Sequence, residues 1–230
     1  MTLAVAIKAA DAIIVAADSR GTIGDPRGLT AVNDTQQKVF QFGQCALAIA
    51  GSSEIALALL DEFARAGIDN PQDIDTAVRT FAQGAIYCDN WFRNIPPEQR
   101  PGTIFLLGGY RNTGGSHVPM VYLLTSNTHF APQLAGNYPM MAGVPQYAIY
   151  LSHRYYDPSM TGESAAALAE YLISETASQD PKVGGPIRIA KVTPQKGYYS
   201  LTDGEVASLK RKNEAINAKL KRFFAQRGKP

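Results

Sequence analysis

Apolar residues crowd Leu3–Lys8 and Ala12–Asp18, and the short Ala9-Ala10-Asp11 turn between them predicts a β-hairpin. A Gly/Pro-containing loop is expected over Gly21–Asn33. Lys38–Phe42 and Cys45–Ala50 read as a second hairpin across Gly43-Gln44. Gly51-Ser52-Ser53 closes that strand and opens a helix whose apolar face is Ile55, Leu59, Leu60 and Phe63, with Gly67 placed to end it. Asn70-Pro71 predicts an N-cap followed by proline at the first helical position, for a helix reaching Phe92. Pro96-Pro97 breaks the chain.

Thr103–Leu107 has the pattern of a buried strand, punctuated by Gly108-Gly109, and Pro119–Thr125 and His129–Leu134 read as further strands. Helices are expected over Val144–Tyr155 and Thr161–Ser178. Gly184-Gly185 precedes strands over Ile187–Val192 and Gly197–Leu201. Strand runs separated by paired helices predict an α/β fold in which two stacked sheets carry helices on both outer faces, a four-layer α/β/β/α sandwich. Neither a repeat nor a linker interrupts the 230 residues. The chain is therefore expected to form a single domain over 1–230, with a core over 2–202 and a basic helix over 203–230.

That last segment complicates an otherwise ordinary composition. The net charge of +2 conceals eight Lys/Arg against three Asp/Glu in residues 203–230. A basic tail can contact nucleic acid or membranes. Here Val206, Leu209, Ile216, Leu220 and Phe223 recur at helical intervals, and Thr202-Asp203-Gly204-Glu205 forms a capping box. An amphipathic helix packing on its own domain or on a neighbouring subunit is expected, with neither nucleic acid nor membrane as partner. No apolar run nears the ~20 residues that cross a bilayer, and the start lacks the features of an export signal, so a cytoplasmic location is expected. Cys45 and Cys88 sit in apolar stretches as core thiols, and His117, His129 and His153 are scattered; no metal or organic cofactor is implied.

The candidate chemistry begins at Thr2. Loss of Met1 gives this residue both a hydroxyl and a free α-amine able to act as its base. Such an amine titrates near pH ~8. Asp18 ends the second strand of the first hairpin, beside the start of the first strand, within reach of Thr2. The residues alone favour a turn carboxylate paired with Arg20. Lys38, at the next strand's start, would oppose protonation of the amine. Gly51, at a strand-to-helix junction, offers an N–H to an oxyanion.

These positions resemble the proteasome β-subunit family of N-terminal-nucleophile hydrolases. The resemblance rests on Thr2, on Val15-Ala16-Ala17-Asp18-Ser19-Arg20 with Thr22, on Lys38 before Val39-Phe40, and on Ala50-Gly51-Ser52. Leu107-Gly108-Gly109, Tyr147-Ala148, Asp157 to Thr161 and Gln179-Asp180 through Gly184-Gly185 extend it over residues 2–201. It implies the N-terminal-nucleophile hydrolase form of the α/β/β/α sandwich, with Thr2 as nucleophile, Asp18 and Lys38 as a tuning charge pair and Gly51 as oxyanion donor. It further implies that Asp180 supports the Thr2 end and that the backbone of Gly21 and Thr22 pairs with an extended substrate. Gln36, Ile49 and Ser53 fall where the family lines its first specificity pocket, which favours neutral or apolar residues.

Three features depart from the family. Gly143 and Val183 stand where hydroxyl residues are usual, the Arg20–Lys38 connection is longer, and the basic terminal helix lies outside the pattern. They point to a divergent bacterial-type relative. The expected function is a threonine-type endopeptidase in a self-compartmentalising ring of identical copies acting on unfolded polypeptide. A non-catalytic ring subunit and an amidase or transpeptidase using the same nucleophile remain the alternatives. Whether an ATP-dependent unfoldase joins the assembly is left open by the sequence.

Overall fold

The computed structural model describes residues 2–25 and 28–226. Met1, whose removal is expected, residues 26–27 of the expected loop, and 227–230 of the basic segment lie outside them. In chain order, β1 (Leu3–Lys8), β2 (Ile13–Ala17), β3 (Gly21–Asp25), β4 (Gly28–Asn33), β5 (Val39–Phe42) and β6 (Cys45–Gly51) precede α1 (Ser53–Arg65) and α2 (Ile74–Trp91). β7 (Thr103–Thr113), β8 (Ser116–Thr125), β9 (Gln133–Leu134) and β10 (Met140–Gly143) follow. Then come α3 (Ala148–Tyr155), α4 (Gly162–Gln179), β11 (Arg188–Thr193), β12 (Gly197–Ser200) and α5 (Asp203–Gln226).

Two five-stranded antiparallel sheets form, ordered β10-β1-β2-β11-β12 and β5-β6-β7-β8-β9, beside a small β3–β4 hairpin. Period-two alternation sends each strand's side chains to two different layers. Leu3, Val5 and Ile7 of β1 face α3, α4 and the start of α5, while Ala4 and Ala6 face the second sheet. Cys45, Leu47 and Ile49 of β6 face α1 and α2, while Ala46, Ala48 and Ala50 meet the first sheet. The layer between the sheets is thus largely alanine, which lets the backbones approach closely. This is the four-layer α/β/β/α order.

Close approach also explains why Gly108-Gly109 does not end a strand. β7 runs through both residues to Thr113. A Cβ at Gly108 would lie 2.7 Å from Ile13 Cγ2 and 3.0 Å from Val15 Cγ2, and one at Gly109 would lie 2.5 Å from Cys45 Sγ. The pair marks sheet contact instead of a turn.

Other boundaries move for local reasons. The expected Gly21–Asn33 loop contains β3 and β4. α2 starts at Ile74 because Asp73, not Asn70, supplies the cap, accepting a bond from Thr76 N at 2.8 Å. Of His129–Leu134 only Gln133–Leu134 is strand, since His129 and Phe130 take left-handed φ values of 50° and 56°. β10 occupies Met140–Gly143, ahead of a helix that begins only at Ala148. The capping box forms as expected: Glu205 N donates to Thr202 Oγ1 at 3.3 Å, and Thr202 N donates to Glu205 Oε2 at 2.7 Å.

If glycine at 108 sets the sheet separation, Gly108→Val should lower the unfolding free energy by about 1–3 kcal/mol. Gly136→Ala, at a site with nothing within 4 Å of the added Cβ, should stay within about 0.5 kcal/mol of the parent. Urea midpoints of the two variants test this, and equal midpoints would refute the packing argument.

Candidate active site

The first residues of β1, β5, β7 and β11 gather at one end of the sandwich with the last residues of β2, β6 and β10. Asp18 lies there, directly after β2, fully buried. Its carboxylate receives four donors. Oδ1 accepts from Leu3 N at 3.1 Å and Lys38 Nζ at 3.0 Å; Oδ2 accepts from Arg20 N at 3.1 Å and Gly184 N at 3.0 Å. Lys38 also donates to the Arg20 carbonyl at 2.7 Å. Burial pulls the Lys38 ammonium below its ordinary pKa, and the Asp18 charge beside it opposes that shift.

Thr2 is buried beside this pair. The next residue's N–H is the one bonded to Asp18, and the Thr2 carbonyl accepts from Val144 N at 2.9 Å. Gly143 adopts φ +94°, and a Cβ there would fall 1.7 Å from the Thr2 carbonyl oxygen. Steric exclusion therefore accounts for the missing hydroxyl at 143. Val183 is buried in the layer that also holds Val144.

Gly51 ends β6 at φ +84°, where a Cβ would meet the Gly102 carbonyl at 2.4 Å, so only glycine fits. It is tied to the charge pair through its own strand, because Ile49 N donates to the Lys38 carbonyl at 2.9 Å. Gln36 N donates to the Ser19 carbonyl at 3.0 Å, and its side chain closes over Gly21, the first residue of β3, with Thr22 next to it. Ser53, the first residue of α1, is half-buried behind the Ser52 cap.

Ile49 and Asp180 are the remaining expected site residues. Ile49 is 2% exposed and shares the α1/α2 face of β6 with Cys45 and Leu47. Asp180 follows α4, and its N–H donates to the Thr176 carbonyl at 2.8 Å. Its carboxylate accepts from Lys182 N at 2.8 Å in the turn that presents Gly184 to Asp18. Its connection to the Thr2 end is thus made through the turn.

Arg20 meets Asp18 through its backbone N–H, while its side chain takes another partner. Its guanidinium forms a two-point pair with Asp34 at 2.7 and 2.8 Å and donates to the Pro181 carbonyl at 2.9 Å. Arg20 holds the Asp34 carboxyl below its ordinary pKa. Gly184 and Gly185 lie under this latch: Cβ atoms there would come within 2.7 Å of Arg20 Cζ and 2.9 Å of the Asp34 carbonyl. Sequence reasoning passed over Asp34, Val144 and Gly184 as participants. The Gly184-Gly185 pair was the available signal.

Competing chemistry is limited. Burial raises the Cys45 and Cys88 thiols to about 12 and about 11, leaving them protonated. Among the described residues, no three His, Cys, Asp or Glu side chains are placed to hold a metal ion. A cavity of about 780 Å³ opens at the far end of the first sheet, by the β1–β2 turn. Its carboxylates are already engaged, Asp11 with Lys191 at 3.7 Å and Glu163 with Lys212 at 3.0 Å.

No protein-family model matches the chain. A proteasome subunit beta of Halorubrum lacusprofundi is 26% identical over 196 residues, 84% of this chain and 73% of that protein. The ancestral β-subunit Anbu of Yersinia bercovieri superposes with a TM-score of 0.74 at 16% identity, covering 97% of each chain. The structure titled a helical assembly of the Anbu complex from Pseudomonas aeruginosa gives 0.75 at 19% identity over 99% of this chain and 98% of that one. Anbu of Hyphomicrobium sp. strain MC1 gives 0.73 at 18% over 97% of each. The fold is accordingly the proteasome-like N-terminal-nucleophile hydrolase sandwich. These neighbours correct the expected placement among proteasome β-subunits, since Anbu proteins are proteasome-like but a distinct family. Coverage that high also makes α5 part of the shared fold, whereas the proteasome pattern left it outside.

Removing the Asp18 charge while Lys38 stays buried should cost about 3–5 kcal/mol, so Asp18→Asn is expected to be strongly destabilised in urea. Lys38→Met should cost less, because three backbone N–H groups still satisfy Asp18. The lysine also has a pH signature. Its folded pKa lies below the ordinary 10.5, so the unfolded chain binds more protons between those values and stability gains as pH rises through that window. Urea midpoints taken across alkaline pH should show this gain in the parent relative to Lys38→Met; parallel curves would contradict the assigned environment.

Proposed function

We propose that this chain is a self-associating, proteasome-related subunit of the Anbu type with a threonine-type peptidase site at Thr2, exposed by removal of Met1. The observation that carries the reading is the buried Asp18 carboxylate. It binds the backbone directly after Thr2 with one oxygen and, through that same oxygen, the ammonium of Lys38. Such a charge pair beside a hydroxyl residue has a chemical use that a simple turn does not.

In this reading the free Thr2 amine takes the hydroxyl proton as Oγ1 bonds to the substrate carbonyl carbon. Lys38 disfavours protonation of that amine, keeping it available as a base. The Gly51 N–H receives the oxyanion. The C–N bond then breaks, the departing amine takes the proton, and water cleaves the ester to restore Thr2. Extended polypeptide pairs with the backbone at Gly21 and Thr22 by strand addition. Gln36 and Ser53 are uncharged, which favours neutral side chains on the acyl side of the cut. Self-association is supported by the assembled state named for the Pseudomonas aeruginosa relative.

Intact-mass measurement of the assembled protein, with and without an electrophilic peptide inhibitor, tests the assignment. The expected result is loss of Met1 and one covalent adduct per chain, abolished in Thr2→Ala without loss of assembly. Labelling that survives Thr2→Ala removes the nucleophile assignment. Retained Met1 in assembled protein assigns the chain a non-catalytic role, and ligated product in the presence of an amine acceptor assigns acyl transfer.

A further inference from the structure

α5 begins packed on its own domain, and the side chains of its second half are exposed. Val206 and Leu209 pack on α4, and Asn213 and Asn217 bond to Glu170 and Glu175. From Glu214 to Ala225 every residue except Asn217 is exposed. Among them Ile216, Leu220 and Phe223 recur at helical spacing and are at least 45% exposed, and the Phe224 ring beside Phe223 is 68% exposed. A free helix of that length is marginal in water, and its apolar stripe is a face awaiting cover. Lys219, Lys221 and Arg222 flank the stripe with no acidic residue among 215–225. Lys219 and Lys221 have no ion partner among the described residues, and Arg222 donates only within the helix, to the Ala218 carbonyl.

The opposite outer layer carries the complementary surface. Residues 51–100, which hold α1 and α2, contain eight Asp/Glu against four Arg. Leu57 on α1 and Ile86 and Trp91 on α2 are exposed at 44%, 64% and 38%, large apolar groups on the solvent face of those helices. Asp61, Asp69 and Asp89 are exposed on the same layer, and although Asp61 pairs with Arg65 and Asp89 with Arg100, the segment stays net negative. An apolar face with an acidic surround on one side of the molecule thus matches an apolar face with a basic surround on the other. α5 and α1/α2 cover different sheets, so a chain cannot bring its own two faces together.

We propose that the end of α5 docks on the α1/α2 face of a second copy of this chain, as a head-to-tail contact. The inference rests on the self-association proposed above and names the surfaces that make it. Each copy then offers one used face of each kind, which is the condition for a ring or an open helical array in place of a closed pair.

Charge reversal tests the pairing on exposed residues, of which Asp61 and Asp89 also pair with Arg65 and Arg100 within the chain. One variant carries Lys219→Glu, Lys221→Glu and Arg222→Glu; the other carries Asp61→Lys, Asp69→Lys and Asp89→Lys. Sedimentation velocity should show each variant alone with its assembled fraction reduced about tenfold or more, since like charges are now opposed. An equimolar mixture should recover assembly, because each altered face meets its complement on the other variant. Thermal unfolding of each variant near the parent value confirms that the folds are intact.

Wild-type protein that stays monomeric at all concentrations removes the self-association reading itself. Wild-type assembly with unaffected variants, or with no recovery on mixing, removes this contact while leaving that reading in place. Stronger assembly of the α5 variant alone points to α5 meeting α5. Capture of wild type by phosphatidylserine-containing vesicles, with assembly indifferent to the α5 changes, assigns the helix to an anionic lipid surface and overturns the proposal.

Discussion

One buried carboxylate organises this molecule. Asp18 has no exposure to water and accepts from Leu3, Arg20, Lys38 and Gly184. These donors come from the first strand, the entry to the small hairpin, the threshold of the second sheet and the turn after α4. A buried charge of this kind is tolerable only when hydrogen-bonded and paired, so each segment is held where its donor is needed. The position of Thr2 follows from that demand, because its own strand must deliver Leu3 N to the same oxygen that Lys38 occupies.

Small residues make the arrangement possible. Alanines between the sheets and glycine at 108 bring the strands near enough for Lys38 of one sheet to reach Asp18 of the other. Gly143 performs the same office at shorter range, where its missing side chain admits the Thr2 carbonyl. The latch formed by Arg20 and Asp34 over Gly184 and Gly185 is a third instance. In each case the absence of a Cβ is what permits a polar contact to form.

Much of this was legible in the chain. Period-two runs located β1, β2, β5 and β6 to within a residue or two, and the Thr202–Glu205 capping box marked the start of α5. The elements that escaped have physical reasons. Gly108-Gly109 carries the composition of a turn, but the packing that makes it strand comes from Ile13, Val15 and Cys45, far away in sequence. β10 is four residues long and holds its place by pairing with β1, information that no local pattern contains. Asp18 and Lys38 could be named from spacing, whereas the contribution of Gly184 is a backbone N–H and has no residue signature.

The Asp18–Lys38 contact also bears on timing during biosynthesis. Asp18 belongs to the first sheet and Lys38 to the threshold of the second, so the depressed lysine pKa exists only after the two sheets have closed on each other. A chain still emerging or partly collapsed holds an ordinary solvated lysine and an ordinary aspartate. The charge pair at this end of the sandwich therefore arrives together with the finished fold.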